Sequence, residues 1–214
     1  MIDFDENNLF PLLDPCSFTY ADAQAHAKKV DDFLGLQIET VETFLKQNKK
    51  APPDSEPWIG LPSQALQTPY IEIRYILSLL GLKEGNHLID LGAGYGRMGL
   101  VMKAHYPETK FTGYEFIPER VKEGSRMLPS LKVQDLSLPD FTPEPADIYF
   151  IYDFGSRSAI QKTLLDLQSI SRQRPIRVVG RGRSSRDAIE RSHPWLSQVI
   201  SPTHYEHFSI YRSS

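Results

Sequence analysis

Apolar and polar positions alternate along this chain in two different rhythms. Short apolar runs follow one another through the second half: His87–Leu91, Lys110–Tyr114, Leu131–Asp135, Ala146–Tyr152 and Ile176–Gly180. Such runs, with little polar interruption, predict strands buried on both faces of a parallel sheet. Between them the spacing is helical. Met98, Val101, Met102 and His105 predict a helix over Arg97–His105, Pro118 opens one running to about Leu128, and Ile160, Leu164, Leu167 and Ile170 mark one over Ser158–Ser171. Ser185 can cap a helix from Arg186 to about Arg191. Trp195–Ser201 and His204–Tyr211 read as two strands joined at Pro202. Strand and helix in alternation predict an α/β fold with a mostly parallel sheet.

Upstream the pattern changes. Residues Met1–Phe18 have no clear period, and Thr19–Lys49 is helical, with Val30, Phe33, Leu34, Ile38, Val41 and Leu45 on one stripe. Gly35 makes it either one bent helix or two. Ala51–Pro62 holds four prolines and predicts a stiff extended connector, with Trp58 docking as an anchor. Thr68 then reads as the N-cap, and Pro69 as the first residue, of a helix that presents Ile73, Ile76, Leu77 and Leu80 to the core and stops at Gly81.

Candidate chemistry concentrates where the first strand stops. His87–Leu91 runs into Gly92-Ala93-Gly94-Tyr95-Gly96, and the next strand ends on Glu115. Strand, glycine turn, helix, strand and acid describe a nucleotide-type ligand site at the carboxyl edge of a parallel sheet. Gly94-Tyr95-Gly96-Arg97-Met98-Gly99 satisfies the dinucleotide pattern, with Glu115 near the distance expected of a ribose acid. Its register is poor, because the first glycine after the strand is Gly92 and counting from it puts Arg97 where the third glycine belongs. Asp90-x-Gly92-x-Gly94-x-Gly96 instead resembles motif I of the class I S-adenosylmethionine-dependent methyltransferases.

That resemblance covers Leu66 to the C-terminus. It implies a Rossmann-like, doubly wound, mostly parallel seven-stranded sheet with a C-terminal antiparallel hairpin. It divides the chain into an N-terminal helical extension with its connector (1–62) and a methyltransferase domain (63–214). It implies S-adenosyl-L-methionine as cofactor, held by Asp90, Gly92, Ala93, Gly94 and Gly96, with Glu115 on the ribose hydroxyls and Phe116 beside it. Asp135 and Leu136 inherit the adenine edge. The turn at Gln67-Thr68-Pro69-Tyr70 resembles a segment that lies over the cofactor in many members, which brings in Thr68.

The family places its methyl acceptor at the end of the fourth strand, here Tyr152-Asp153-Phe154-Gly155. Members acting on nucleic-acid or glutamine amines carry Asn/Asp-Pro-Pro-Tyr/Phe there, and this chain has no proline pair. An acid and an aromatic at that place still suit an amine, because the acid can hold an ammonium or take its proton and the ring face can stabilise a cation. The pattern is similar to that of small single-domain protein-lysine methyltransferases. Tyr152, Asp153 and Tyr70 are therefore the expected acceptor-facing residues and a protein lysine the expected acceptor, with RNA, a small metabolite, or cofactor binding without turnover as alternatives. The N-terminal helix is expected to pack on the domain as a lid.

Composition narrows this picture only slightly. The chain has 214 residues and a net charge of −3. From Ile151 onward ten Lys/Arg face five Asp/Glu, mostly arginines between Arg172 and Arg191. Such a run is usually a solvated face, its sharper reading being a dock for an acidic partner or nucleic acid. Cys16 is the single cysteine, so no internal disulfide forms and a reducing compartment is expected. The acidic N-terminus lacks the basic start of a targeting peptide, and no run approaches about 18 apolar residues. A cytoplasmic protein is the expectation. His193, His204 and His207 lack the companions of a metal site.

Overall fold

A computed structural model describes residues 2–48, 59–65 and 67–214. The proline-rich connector up to Trp58 thus falls largely outside the described residues. Seven strands form one sheet: β1 His87–Leu91, β2 Lys110–Glu115, β3 Leu131–Val133, β4 Ile148–Tyr152, β5 Arg177–Arg181, β6 Thr203–His204 and β7 Phe208–Arg212. Their order is β3-β2-β1-β4-β5-β7-β6. Pairing is parallel from β3 through β5, while β7 runs antiparallel to both β5 and β6. The sheet order reverses at β1/β4, which brings the carboxyl ends of β1, β2 and β4 to one crevice.

Helices α1 Tyr20–Leu34, α2 Ile38–Asn48, α3 Tyr70–Leu79, α4 Arg97–His105, α5 Pro118–Gly124, α6 Arg157–Ser171, α7 Arg183–Ser192 and α8 Pro194–Ser197 complete the described elements. The strands bury both faces. Leu88, Ile148, Phe150 and Val179 enter a core with α1 to α5, whereas Ile89, Leu91, Tyr149, Ile151 and Val178 enter a second core with α6 to α8. That two-sided burial is why β1, β4 and β5 read as apolar runs.

Several boundaries differ from the pattern-based expectation. Gly35 splits the N-terminal helix in two by taking the left-handed conformation, φ 70°, as the C-cap of α1. Val30, Ile38 and Leu45 are buried as the stripe predicts, but Phe33 is about half exposed and meets Phe4 edge-on. Thr68 is not the cap of α3: Pro69 holds that place in an extended conformation, without a side-chain cap bond. Trp195–Ser201 is not a strand. Pro194 starts the short helix α8, Leu196 is its buried residue, and Val199 and Ile200 face solvent. The hairpin is therefore β6–β7. Ser185 is not a cap either, since α7 begins earlier, after Gly182.

Two buried ion pairs fasten the N-terminal helices to the domain. Asp31 of α1 pairs with Arg97, the first residue of α4, and accepts from the Tyr70 hydroxyl at 2.9 Å and from Gln64 Nε2 at 3.2 Å. Glu42 of α2 pairs with Arg120 of α5 at 2.8 Å and accepts from the Tyr95 hydroxyl at 2.8 Å. Arg97 and Asp31 are nearly solvent-free. Among the described residues no helix is long and apolar enough to cross a membrane.

Removing one partner of a buried pair leaves the other charge without compensation, which costs about 3–5 kcal/mol. Asp31→Ala is expected to lower the unfolding free energy by about that much in urea titration, and Asp31→Asn, which retains hydrogen-bonding capacity, by less.

Candidate functional site

The turn after β1 is built on glycine. Gly92, Gly94 and Gly96 have φ of 95°, 55° and 82°, a region that side chains with a Cβ rarely adopt. The Gly92 and Ala93 amides both donate to the Tyr114 carbonyl, at 2.9 and 2.8 Å, so the turn hangs on the end of β2. Gly96 then enters α4.

An acid lies on either side of this turn. Glu115, buried at the end of β2, accepts from the Gly94 amide and from the Ile117 amide, each at 2.9 Å, with Arg120 at 3.8 Å. Asp90 is buried on β1 and accepts no side-chain hydrogen bond among the described residues. Burial first, and then the neighbouring Glu115 carboxylate, push the Asp90 carboxyl up to about 8. Two buried carboxyls thus lie close together, and Asp90 is the one whose ionisation is pushed up.

The chain's own side chains lie close over the glycines. A Cβ at Gly92 would collide with the Cβ of Phe154, and one at Gly94 would sit 3.0 Å from Gln67 Nε2. Gly92 therefore needs glycine for space as well as for conformation, whereas at Gly94 the positive φ is the constraint and only the end of the Gln67 side chain is near. Gln67, from the turn before α3, is buried there. Thr68 beside it is buried and offers its carbonyl to Arg97. Ala93 packs towards Gly113. Phe116, just past Glu115, is about half exposed, an apolar surface available to a ring. Leu136 is buried in the second core. Asp135 lies beyond β3, and its carboxylate accepts from the Ser137 amide and hydroxyl at 2.8 and 2.6 Å.

At the acceptor edge the expected residues separate. Tyr70 does not face the crevice. It has no exposed surface, its hydroxyl is given to Asp31, and burial raises its ionisation well above the ordinary tyrosine range. Asp153 takes the left-handed conformation, φ 31°. Its carboxylate turns towards α7, accepting from the Ser185 amide and hydroxyl at 2.7 Å each and from the Ser184 amide at 3.2 Å. It thus satisfies orphan amides of the first turn of α7 from 30 residues away in sequence. Tyr152 ends β4 partly exposed, its ring 4.2 Å from the Arg181 guanidinium. Arg181 is buried and donates to Glu72 at 2.7 Å and to the Tyr20 hydroxyl at 2.8 Å.

The parts played by Arg97, Arg120 and Arg181, and that of Ser185 as a partner of Asp153, escape the sequence reading, because the partner of each lies far away along the chain. Part of the arginine cluster is engaged by the fold, while Arg183 and Arg191 stay largely exposed. Arg174 pairs with Asp147, Arg177 donates to the Leu80 carbonyl, Arg183 and Arg191 lie within 3.8 Å of Asp187, and Arg186 donates to the carbonyls of Gly182, Tyr205 and Glu206.

Comparison with solved structures agrees with this geometry. The chain superposes on a TehB-like SAM-dependent methyltransferase from Corynebacterium glutamicum with a TM-score of 0.51 and 14% identity, covering 67% of this chain and 86% of that one. A SAM-dependent methyltransferase from Aquifex aeolicus gives a TM-score of 0.48 and 14% identity over 66% and 88% of the two chains. Thermoplasma acidophilum 1320 gives 0.47 and 17% over 82% and 95%. No protein-family model matches the sequence, and no curated protein does. The first of these likenesses, with the sheet order and the antiparallel β7, defines the class I methyltransferase fold.

Two outcomes are expected from these contacts. Asp153→Ala should lower stability by about 1–2 kcal/mol through loss of the cap on α7, read as a fall in melting temperature. Asp90 holds its proton more tightly folded than unfolded, so its contribution to stability is fully present below its unfolded value near 3.8 and is lost as pH rises through about 8. Asp90→Asn should flatten the fall in unfolding free energy between pH 5 and 8, followed by urea titration at each pH.

Proposed function

We propose that this protein is an S-adenosylmethionine-dependent methyltransferase whose acceptor is an amine, most favourably the side-chain amine of a protein lysine. The observation that carries the reading is the turn Asp90-x-Gly92-x-Gly94-x-Gly96 set between two buried acids at the switch point of the sheet.

These residues fit the cofactor in kind. Glu115 stands at the end of β2 with both oxygens fixed by backbone amides, the place from which an acid takes ribose hydroxyls. Asp90, buried and without a side-chain hydrogen bond among the described residues, suits a cationic group of the ligand's amino-acid end. Phe116 offers an exposed ring at the adenine side. Gln67 and Phe154, lying over Gly94 and Gly92, move aside or become part of the binding wall. When bound, S-adenosylmethionine supplies an electrophilic methyl group on sulfur. The protein's own task is to hold, orient and desolvate the acceptor beside it.

An amine acceptor is supported by Tyr152, whose partly exposed ring ends β4 next to the crevice. Asp153 serves α7 in this structure, so a proton-accepting part for it requires that it leave Ser184 and Ser185. Release of the proton to water suffices for an amine that arrives uncharged.

Calorimetric titration with S-adenosylmethionine, its demethylated product and NAD tests the cofactor. Binding of the first two, lost in Glu115→Ala, is the expected result, and binding of NAD alone would overturn it. Because a cationic ligand group favours the Asp90 carboxylate, binding at pH 7 should release close to one proton, seen as a dependence of the heat on buffer ionisation enthalpy and absent in Asp90→Asn. Radiolabelled cofactor incubated with cell extract should label protein. Label that is nuclease-sensitive or passes into the filtrate would replace the lysine with RNA or a metabolite.

A further inference from the structure

Beyond the glycine turn, the molecule carries a second chemically distinctive space. A cavity of about 530 Å³ lies between the segment around Asp14–Tyr20, α3 and the β6–β7 turn. Its wall is aromatic. Tyr75 stands edge-on to Tyr205 and to Phe208, with centroids 6.0 and 6.3 Å apart, and Tyr205 stacks on Phe208 at 4.5 Å. Tyr20 closes another side, edge-on to His207 at 5.1 Å.

Its charge has one sign. Asp14, Glu72 and Glu206 line the cavity, and no lysine or arginine does among the described residues. Glu72 is the informative acid. It is 8% exposed, and one carboxylate oxygen accepts from Arg181 while Oε1 has no hydrogen-bond partner. A buried carboxylate oxygen without a donor is costly unless something supplies one. Aromatic faces beside carboxylates are surroundings that recognise an alkylated ammonium, and the cation nearest this wall, Arg181, engages only the other oxygen of Glu72.

The cavity also adjoins the acceptor edge. Arg181, which donates to Glu72 and to Tyr20, lies against the ring of Tyr152 at the end of β4. One buried guanidinium therefore separates the cavity from the place where the fold presents a methyl acceptor.

We propose that this cavity is an aromatic cage for the side-chain ammonium of a lysine or methylated lysine in a protein substrate, with Tyr75, Tyr205 and Phe208 as its walls and Glu72 as its counter-charge. The assignment rests on the reading of the protein as an amine methyltransferase, and it names the recognition element that reading lacks.

The test separates the two. The full chain is titrated, without cofactor, with N-acetyl-trimethyllysine amide and with its uncharged tert-butyl isostere, followed by ligand-observed NMR and calorimetry. One-to-one binding of the cation, at least tenfold tighter than that of the isostere, is expected. Glu72→Gln and Tyr75→Leu should each weaken it tenfold or more, and Tyr75 lies outside the Arg181 pair, so its variant reports on the cage even if the first variant unfolds. Equal binding of both ligands, no binding, or binding unchanged in Tyr75→Leu would overturn the cage. Cation binding in a protein that fails to label any amine would overturn the methyltransferase reading alone. Labelling of an amine with a KM indifferent to Tyr75→Leu would overturn the cage alone.

Discussion

The arrangement rests on two acids donated by the N-terminal helices to two arginines of the domain. Arg97 opens the helix that leaves the glycine turn, and Arg120 lies on the helix that follows Glu115. Asp31 claims the first and Glu42 the second. Unpaired, either guanidinium would be a buried charge at the mouth of the site. Paired, Arg97 is held at the start of the helix that follows the glycine turn, and Arg120 in the first turn of the helix that follows Glu115. The N-terminal helices are therefore not a cover added to a finished domain. Ala27, Val30, Leu36 and Ile38 lie in the same core as Leu88 and Phe150 of the central strands, and the acids next to them set the local charge balance.

The same balance explains the asymmetry of the two site acids. Glu115 is engaged by two backbone amides and approached by Arg120. Asp90 has none of these partners, and burial first, then the neighbouring Glu115, push its carboxyl up to about 8. Two neighbouring buried carboxyls thus sit in different surroundings, one held by backbone amides and an arginine, the other without such partners.

How much of this was legible in the sequence depended on the distance over which each residue finds its partner. The central strands β1, β4 and β5 were readable within a residue or two, because burial on both faces leaves an apolar run that nothing else resembles. Glycine at 92, 94 and 96 announced a turn that only positive φ permits. Trp195–Ile200 misled, because its apolar residues are not all inward: Leu196 is buried while Val199 and Ile200 are exposed. Tyr70 and Asp153 misled for a different reason. A first-turn tyrosine and a strand-end acid look the same whether they point at a ligand or at another part of the chain. Asp31 lies 39 residues before the one, and Ser185 lies 32 after the other. Single-sequence patterns carry local periodicity, and pairings across such separations leave no mark in it.

Asp153 has a consequence for how the crevice works. It follows the last residue of β4 and precedes Phe154, whose side chain rests on Gly92, while its own carboxylate holds the opening turn of α7. Asp153 itself takes the left-handed conformation, φ 31°. The side chain over the glycine turn and the acid that holds the opening amides of α7 are thus neighbours in one short loop, so a substitution at either bears on both ends of it.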